Sequence, residues 1–303
     1  MELRHLRYFI AVAEELHFGR AAGQLGISQP PLSQQIQALE EEIGARLLDR
    51  TNRRVALTAA GRLFLDEARA ILQQVDKAVL LARRAHQGEI GELKIGFTAS
   101  APFTSSIPRS ILAFRQACPE VHLDLQEMSS AQVVQALQDE RVQVGVIRPI
   151  ALPDSLEAVE LFSEPLVAVL RADHPLVPQS ADGLSIAALA GEPFVFFPRS
   201  YGTGLYDNLM ELARQAGFTP AIAQEAGEAM TIIGLVAAGM GVSMLPASFR
   251  RTRVDGVVYR TLSDPGATTS VWLVRRRDER SPLVQSFVDL VTREVGRPNP
   301  PGT

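Results

Sequence analysis

The chain has a single cysteine, Cys118, among 303 residues, so no disulfide can close within one copy and no cysteine-rich metal site can be assembled. A lone thiol of this kind is expected as a small buried apolar residue. The five histidines, His5, His17, His86, His122 and His174, show no metal-ligand spacing, and no nucleophile motif accompanies them. Gly202-Thr203-Gly204 is too short for a dinucleotide fingerprint and does not follow a first strand to open a helix. No cofactor, metal or enzymatic reaction is expected. Long apolar runs are missing too: nothing approaches the length needed to span a bilayer. The opening MELRHLRYF carries charge where a secretion signal would have its apolar run, which predicts a cytoplasmic chain without membrane contact. A charge excess is also lacking, since the formal net charge is −4 and Glu40, Glu41 and Glu42 offset the N-terminal arginines. Overall charge gives no support for nucleic-acid binding. Any such role must rest on where particular arginines sit, because phosphate neutralisation is local.

What is present is the ordinary material of folded proteins, 46% hydrophobic and 21% charged residues, in a chain long enough for two or more domains. Leu6, Phe9, Ile10, Ala13 and Leu16 recur at spacings of three and four, one face of an amphipathic helix. Phe18, Ala21, Ala22 and Leu25 repeat the pattern over a shorter helix, which Gly26 can end in the left-handed conformation. Ser28 is a good N-cap for a third helix, and Pro30 and Pro31 suit a first turn whose N–H groups have no intrahelical partner. The apolar face of that helix is Leu32, Ile36, Leu39 and Ile43, which leaves Gln29, Ser33, Gln34 and Gln37 outside near its start. Two short helices joined by a tight turn, the second exposing hydrogen-bonding side chains, is the arrangement that enters a major groove, where glutamine and serine read base edges. The spacing alone equally fits a helical hairpin with solvated glutamines.

The next segment favours DNA. Leu47 and Leu48, a basic turn Asp49-Arg50-Thr51-Asn52-Arg53-Arg54, then Val55 and Leu57 predict two short strands forming a wing. Arg50, Arg53 and Arg54 are thereby expected beside phosphates. Thr58 can cap a proline-free helix running to about Gln87, roughly 40 Å at the usual helical rise. Its apolar positions Leu65, Ala68, Leu72, Val75, Val79 and Ala82 form a coiled-coil seam, which either pairs with a second copy or packs on its own domain. Beyond Gly88 and Gly91 the texture becomes α/β. Strands are expected at Leu93–Phe97 and around Val121–Gln126, Val142–Ile147, Leu166–Leu170, Val195–Phe197, Val242–Leu245, Val257–Leu262 and Val271–Val274, with helices between them. Asp154–Phe162 and Asp264–Thr269 are candidate crossovers between two lobes.

The stretch FGRAAGQLGISQPPLSQQIQALEEEIGARLLDRTNRRVALTAAG resembles the DNA-binding end of the LysR-type transcriptional regulators, and the resemblance continues through IGFTAS and GLVAAGMGVSMLPAS. The branch it looks most like governs aromatic-compound breakdown, in response to muconate or chlorinated catechol products. The resemblance implies a winged helix-turn-helix over residues 1–58, a dimerising linker helix over 59–87 and an effector region over 88–303. That region would comprise two Rossmann-like subdomains resembling periplasmic binding proteins, one of residues 91–161 with 268–303 and the other of 162–267. A small inducer would lie between them. Promoter DNA, RNA polymerase and further copies in a homodimer or homotetramer are the implied partners.

Carried over, Gln29, Pro30, Pro31, Ser33 and Gln34 would face base edges and Arg50, Arg53 and Arg54 phosphates. Many members of the branch have arginine where this chain has Gln34; arginine suits guanine, glutamine adenine. In the effector region Ser100, Ser129 and Ser130 stand where hydroxyls and helix-start N–H groups take a carboxylate, although capping alone would also explain serines there. Tyr201 and Thr203 lie in the loop that lines the other lobe. Arg148 would either grip a ligand carboxylate or hold a structural acid. Ala99 replaces a common glycine, so the ligand is expected to differ from muconate. Other functions fit less: a solute-binding protein without transcriptional activation leaves the helix-turn-helix unexplained, and an architectural DNA-binding protein leaves the α/β region so.

Overall fold

The computed structural model describes residues 1–51, 54–178, 183–201 and 203–296, with the side chains of Thr51, Arg54, Tyr201 and Thr203 outside the description. Two compact units result, Met1–Arg84 and Ala85–Thr303. Among the described residues no helix is long and apolar enough to cross a membrane.

The first unit packs α1 (Leu3–Glu15), α2 (Phe18–Leu25) and α3 (Gln29–Ile43) around Leu6, Phe9, Leu32, Ile36 and Leu39. Gly26 ends α2 at φ 68°, a conformation that glycine adopts without steric cost. Ser28 occupies the N-cap position of α3 but its side chain makes no capping bond; the two prolines of the first turn remove N–H groups that would need one. Ile43, expected on the buried face, is 37% exposed, because Gly44 ends the helix there with φ 74°. The wing follows as β1 (Leu48–Thr51) paired antiparallel with β2 (Arg54–Leu57). Helix α4 (Ala59–His86) opens on Thr58, whose Oγ1 accepts the Gly61 N–H at 2.8 Å. The seam of α4 divides. Leu65, Ala68 and Leu72 complete the core of the first unit, whereas Val79 and Ala82 are exposed.

The second unit is α/β. Parallel strands β3 (Ile90–Phe97), β4 (Glu120–Glu127) and β5 (Val144–Ile147) alternate with α5 (Ser106–Ala117) and α6 (Ser130–Gln138). The expected crossover at Asp154–Phe162 and the expected strand at Leu166–Leu170 are instead one continuous strand, β6 (Leu156–Arg171). Its exposed acidic first half concealed the strand period in the sequence. After β7 (Pro193–Phe196), α7 (Thr203–Gln215), β8 (Ala221–Glu225), α8 (Ala229–Ala237), β9 (Ser243–Pro246) and β10 (Val257–Thr261), the chain returns along β11 (Thr268–Arg276) to α9 (Pro282–Val295). The fully exposed strand β8 was not anticipated.

The sheet order β10-β6-β11-β5-β3-β4, with β9 also on β6, explains how one strand serves two lobes. The first half of β6 pairs with β11, and the second half with β9 and β10. Leu166–Leu170 is buried throughout, as expected for a strand covered on both faces. Cores lie on either side of each lobe's sheet: Ile95, Phe114, Val146 and Phe287 against Val133, Leu137 and Val142 in one, Phe194, Phe196 and Met244 against Ile232, Val236 and Phe249 in the other. Cys118 is half-buried against the first of these; burial, then the nearby Glu89, raises its thiol pKa.

Candidate DNA-reading face and effector cleft

Gln29, Pro30, Pro31 and Gln34 are all exposed on the first turns of α3. The helical period places Gln29 and Ser33 on one face, with Gln34 beside them. Ser33 is half-buried, and Arg50 lies close to it rather than extending from the wing. The Arg50 guanidinium donates to Glu40 Oε2 at 3.0 Å and reaches Ser33 Oγ at 3.4 Å. It also sits over the Phe18 ring, 4.8 Å from its centroid. Glu40 in turn accepts the Leu47 and Leu48 N–H groups at 2.8 and 2.9 Å through its other oxygen. Arg50 and Glu40 therefore lock the base of the wing onto α3, a charged pair with fixed geometry. Arg53 lies outside the described residues, as does the side chain of Arg54. Glu40 was not singled out in the sequence, where it reads as one of three solvated glutamates.

In the second unit the two lobes enclose a cavity of about 250 Å³. One wall comes from the ends of β3 and β4 and the start of α6, with Ser100, Met128, Ser129 and Ser130; the other brings Phe197, Tyr206 and Phe249. This is the place where an open α/β sheet exposes strand ends and helix starts. Ser129 and Gln132 form a reciprocal capping box, Gln132 N donating to Ser129 Oγ at 3.3 Å and Ser129 N to Gln132 Oε1 at 2.9 Å. Ser129 thus caps its helix. Ser130 is buried, and its Oγ accepts the Arg148 N–H at 3.2 Å.

Arg148 is only 4% exposed and lines the cavity. Its Nη2 donates to Glu164 Oε1 at 2.6 Å, an acid of the protein itself. Its Nε and Nη2 also donate to Ser100 Oγ at 3.1 and 3.0 Å. Burial lowers the guanidinium pKa, and the charge and hydrogen bond of Glu164 oppose that shift. Glu164 is fixed from the other lobe, where Ser248 N donates to its Oε2 at 2.7 Å. Ser100, Ser129, Ser130 and Arg148 are thereby gathered at one cavity. The side chains of Tyr201 and Thr203 lie outside the description and Gly202 outside the described residues. Beside them, a Cβ on Gly204 would stand 1.3 Å from the Pro149 carbonyl oxygen, so only glycine permits this approach between the lobes.

Glu127, Met128, Tyr206, Glu228 and Phe249 also line the cavity and were missed. Glu127 and Glu228 each adjoin a helix start or strand end, which was the available signal; Tyr206 and Phe249 carried none, since aromatic residues within helical segments read as core.

Residues 3–62 match the model of the bacterial regulatory helix-turn-helix protein, lysR family, and residues 86–296 that of the LysR substrate binding domain. The chain is 53% identical over 288 residues, 95% of its length and 96% of the relative's, to the uncharacterized HTH-type transcriptional regulator YnfL of Escherichia coli strain K12. It is 40% identical to the HTH-type transcriptional regulator AlsR of Bacillus subtilis strain 168, over 96% of this chain and 95% of that one. Among solved structures, full-length CbnR complexed with its target DNA superposes with a TM-score of 0.83 at 29% identity, covering 97% of this chain and all of CbnR. Fold, residues and relatives agree: the chain belongs to the LysR family and is a DNA-binding transcriptional regulator whose second part is an effector-binding domain.

Proposed function

We propose that this regulator is an activator switched by a small acid held between the lobes of its effector region. The observation that carries the reading is the cavity itself, whose walls come from both lobes. A ligand touching both walls favours one degree of lobe closure over another, which is what an effector must do to shift an equilibrium. Ser130 and Ser100 offer hydroxyls there, and the first turn of α6 offers N–H groups that lack intrahelical partners. Tyr201 and Thr203 complete the other wall in this reading, as the resemblance to the muconate-responsive branch implies.

The domain limits follow the same reading: 1–58 bind DNA, 59–87 link and dimerise, and 88–303 sense, with subdomains of 91–161 with 268–303 and of 162–267. Gln29, Pro30, Pro31, Ser33 and Gln34 face bases, while Arg53 and Arg54 face phosphates. Arg50 contributes by holding the wing. The exposed second half of the α4 seam supports pairing with a second copy, and two such pairs make a tetramer that spans neighbouring promoter sites and bends the DNA between them. The effector relaxes the bend and lets RNA polymerase engage. The protein works in the cytoplasm and has no enzymatic activity in this account.

The test is thermal unfolding of the purified protein against a panel of small carboxylates, since a ligand that binds only the folded state stabilises it by mass action. A specific stabilisation that disappears in Ser130→Ala and Ser100→Ala supports the cleft as effector site. Promoter DNA binding with no stabilisation by any acid removes the acid effector.

A further inference from the structure

The polar groups that meet in the cavity differ in one respect from those of a site for a multiply charged acid. Among the described residues its only lining cation is already neutralised. Arg148 is paired with Glu164 at 2.6 Å, and Glu164 is held by the Ser248 backbone N–H at 2.7 Å and approached by the Ser248 hydroxyl at 3.3 Å. Truncating either partner of such a buried pair would leave the other uncompensated, so the pair persists as a unit with no net charge. Ser100 Oγ accepts two bonds from Arg148, which fills its lone pairs and makes its proton the one group it can give, shared between Thr98 Oγ1 at 3.4 Å and the cavity. Ser130 Oγ accepts from the Arg148 N–H and likewise retains a proton to give.

The donors at this end are thus neutral, and the remaining charges are negative. Glu127 on one lobe and Glu228 on the other line the same cavity, and both are exposed. Neither carboxylate is engaged in an ion pair among the described residues. Aromatic and apolar side chains, Met128, Phe197, Tyr206 and Phe249, make up the walls between.

We infer that this cleft selects small monoanions with an apolar body and rejects dianions, with Glu164 as the residue that sets the limit and Glu127 and Glu228 reinforcing it. One carboxylate is accommodated by the hydroxyls of Ser100 and Ser130 and the free N–H groups of α6. Among the described lining residues a second carboxylate meets no unpaired cation and two like charges, Glu127 and Glu228, which disfavour it across a partly desolvated space. The inference rests on the cleft being the effector site and specifies the charge of what binds there.

The test uses matched acids differing only in the second carboxylate: sorbate with trans,trans-muconate, and benzoate with isophthalate. Binding of each to the full-length protein is measured by calorimetry and by thermal shift. The expected result is that the monoanion of at least one pair binds, that each dianion binds on the order of tenfold more weakly than its partner, and that Glu164→Gln removes most of that difference. Glutamine keeps the acceptor for Arg148 but restores one positive charge to the cavity, worth about tenfold for one unit charge at a partly desolvated site. Because Glu164→Gln disturbs a buried pair, the exposed Glu127→Gln and Glu228→Gln serve as a second set; each should strengthen dianion binding several-fold at low salt, and the gain should shrink at high salt. A dianion that binds the wild type as tightly as its monoanion overturns the inference. So does a set of variants that leaves the difference between dianion and monoanion unchanged, or the failure of every acid to bind both wild type and variants. If a neutral or cationic molecule still shifts the melting temperature through the cleft in that last case, the effector site stands and only its charge selectivity falls.

Discussion

At the scale of single residues, the proposed function separates readers of DNA from supports. Gln29 and Gln34 are exposed and unencumbered, so replacing Gln29 with alanine is expected to relax sequence preference, by about 1–3 kcal/mol of discrimination at the base it reads. Arg53→Ala should instead weaken binding to all sequences alike and reduce the salt slope by about one. Equilibrium binding to operator and scrambled duplexes over a range of salt distinguishes the two; identical effects of both substitutions would contradict the assignment. Glu40 belongs to the supports, with two backbone N–H groups of the wing and the Arg50 guanidinium on its carboxylate. Glu40→Ala leaves those donors without a partner and should cost roughly 2–3 kcal/mol, seen as a lower urea midpoint by circular dichroism. A midpoint unchanged from wild type would mean that the wing is held by other contacts.

At the scale of elements, α4 and β6 show what a one-dimensional pattern reveals and what it hides. The α4 seam was legible because six apolar positions share one period, yet the same period covers two environments. Leu65, Ala68 and Leu72 serve the core of their own unit, and Val79 and Ala82 remain exposed. Glutamates at Val79 and Ala82 should therefore dissociate the assembly without unfolding the chain; sedimentation velocity would show a smaller particle with native circular dichroism. An unchanged sedimentation coefficient would exclude this half of the helix as the contact between copies. Strand β6 was hidden for the opposite reason, since its first half carries the half-buried Glu157 and the exposed Glu160 and only its buried second half reads as a strand. The cleft was legible to the extent that it is made of helix starts: Ser100, Ser129 and Ser130 were visible by position, and all three line it. Glu164 and Phe249 reach the site through tertiary folding alone, and no local spacing marks them.

For the whole molecule, a ligand of the size the cavity accepts alters events on DNA, in the proposed mechanism, by way of lobe closure. Arg148, Glu164 and Ser248 form a polar bridge from one lobe to the other beside the cavity, so a ligand on Ser100 and Ser130 bears on groups that already join the lobes. Such a bridge couples occupancy to closure only if the two lobe arrangements differ in affinity for the ligand. The family assignment establishes a regulator with a sensing region; the acid effector, its monoanionic charge and the bending scheme are what remain to be tested. The most direct measurement is DNase footprinting with a bend-angle determination on the promoter DNA, with and without the acid that stabilises the protein most. The account predicts a shortened footprint and a smaller bend on addition of the acid, both abolished by Ser130→Ala. Unchanged footprint and bend at saturating acid would contradict it.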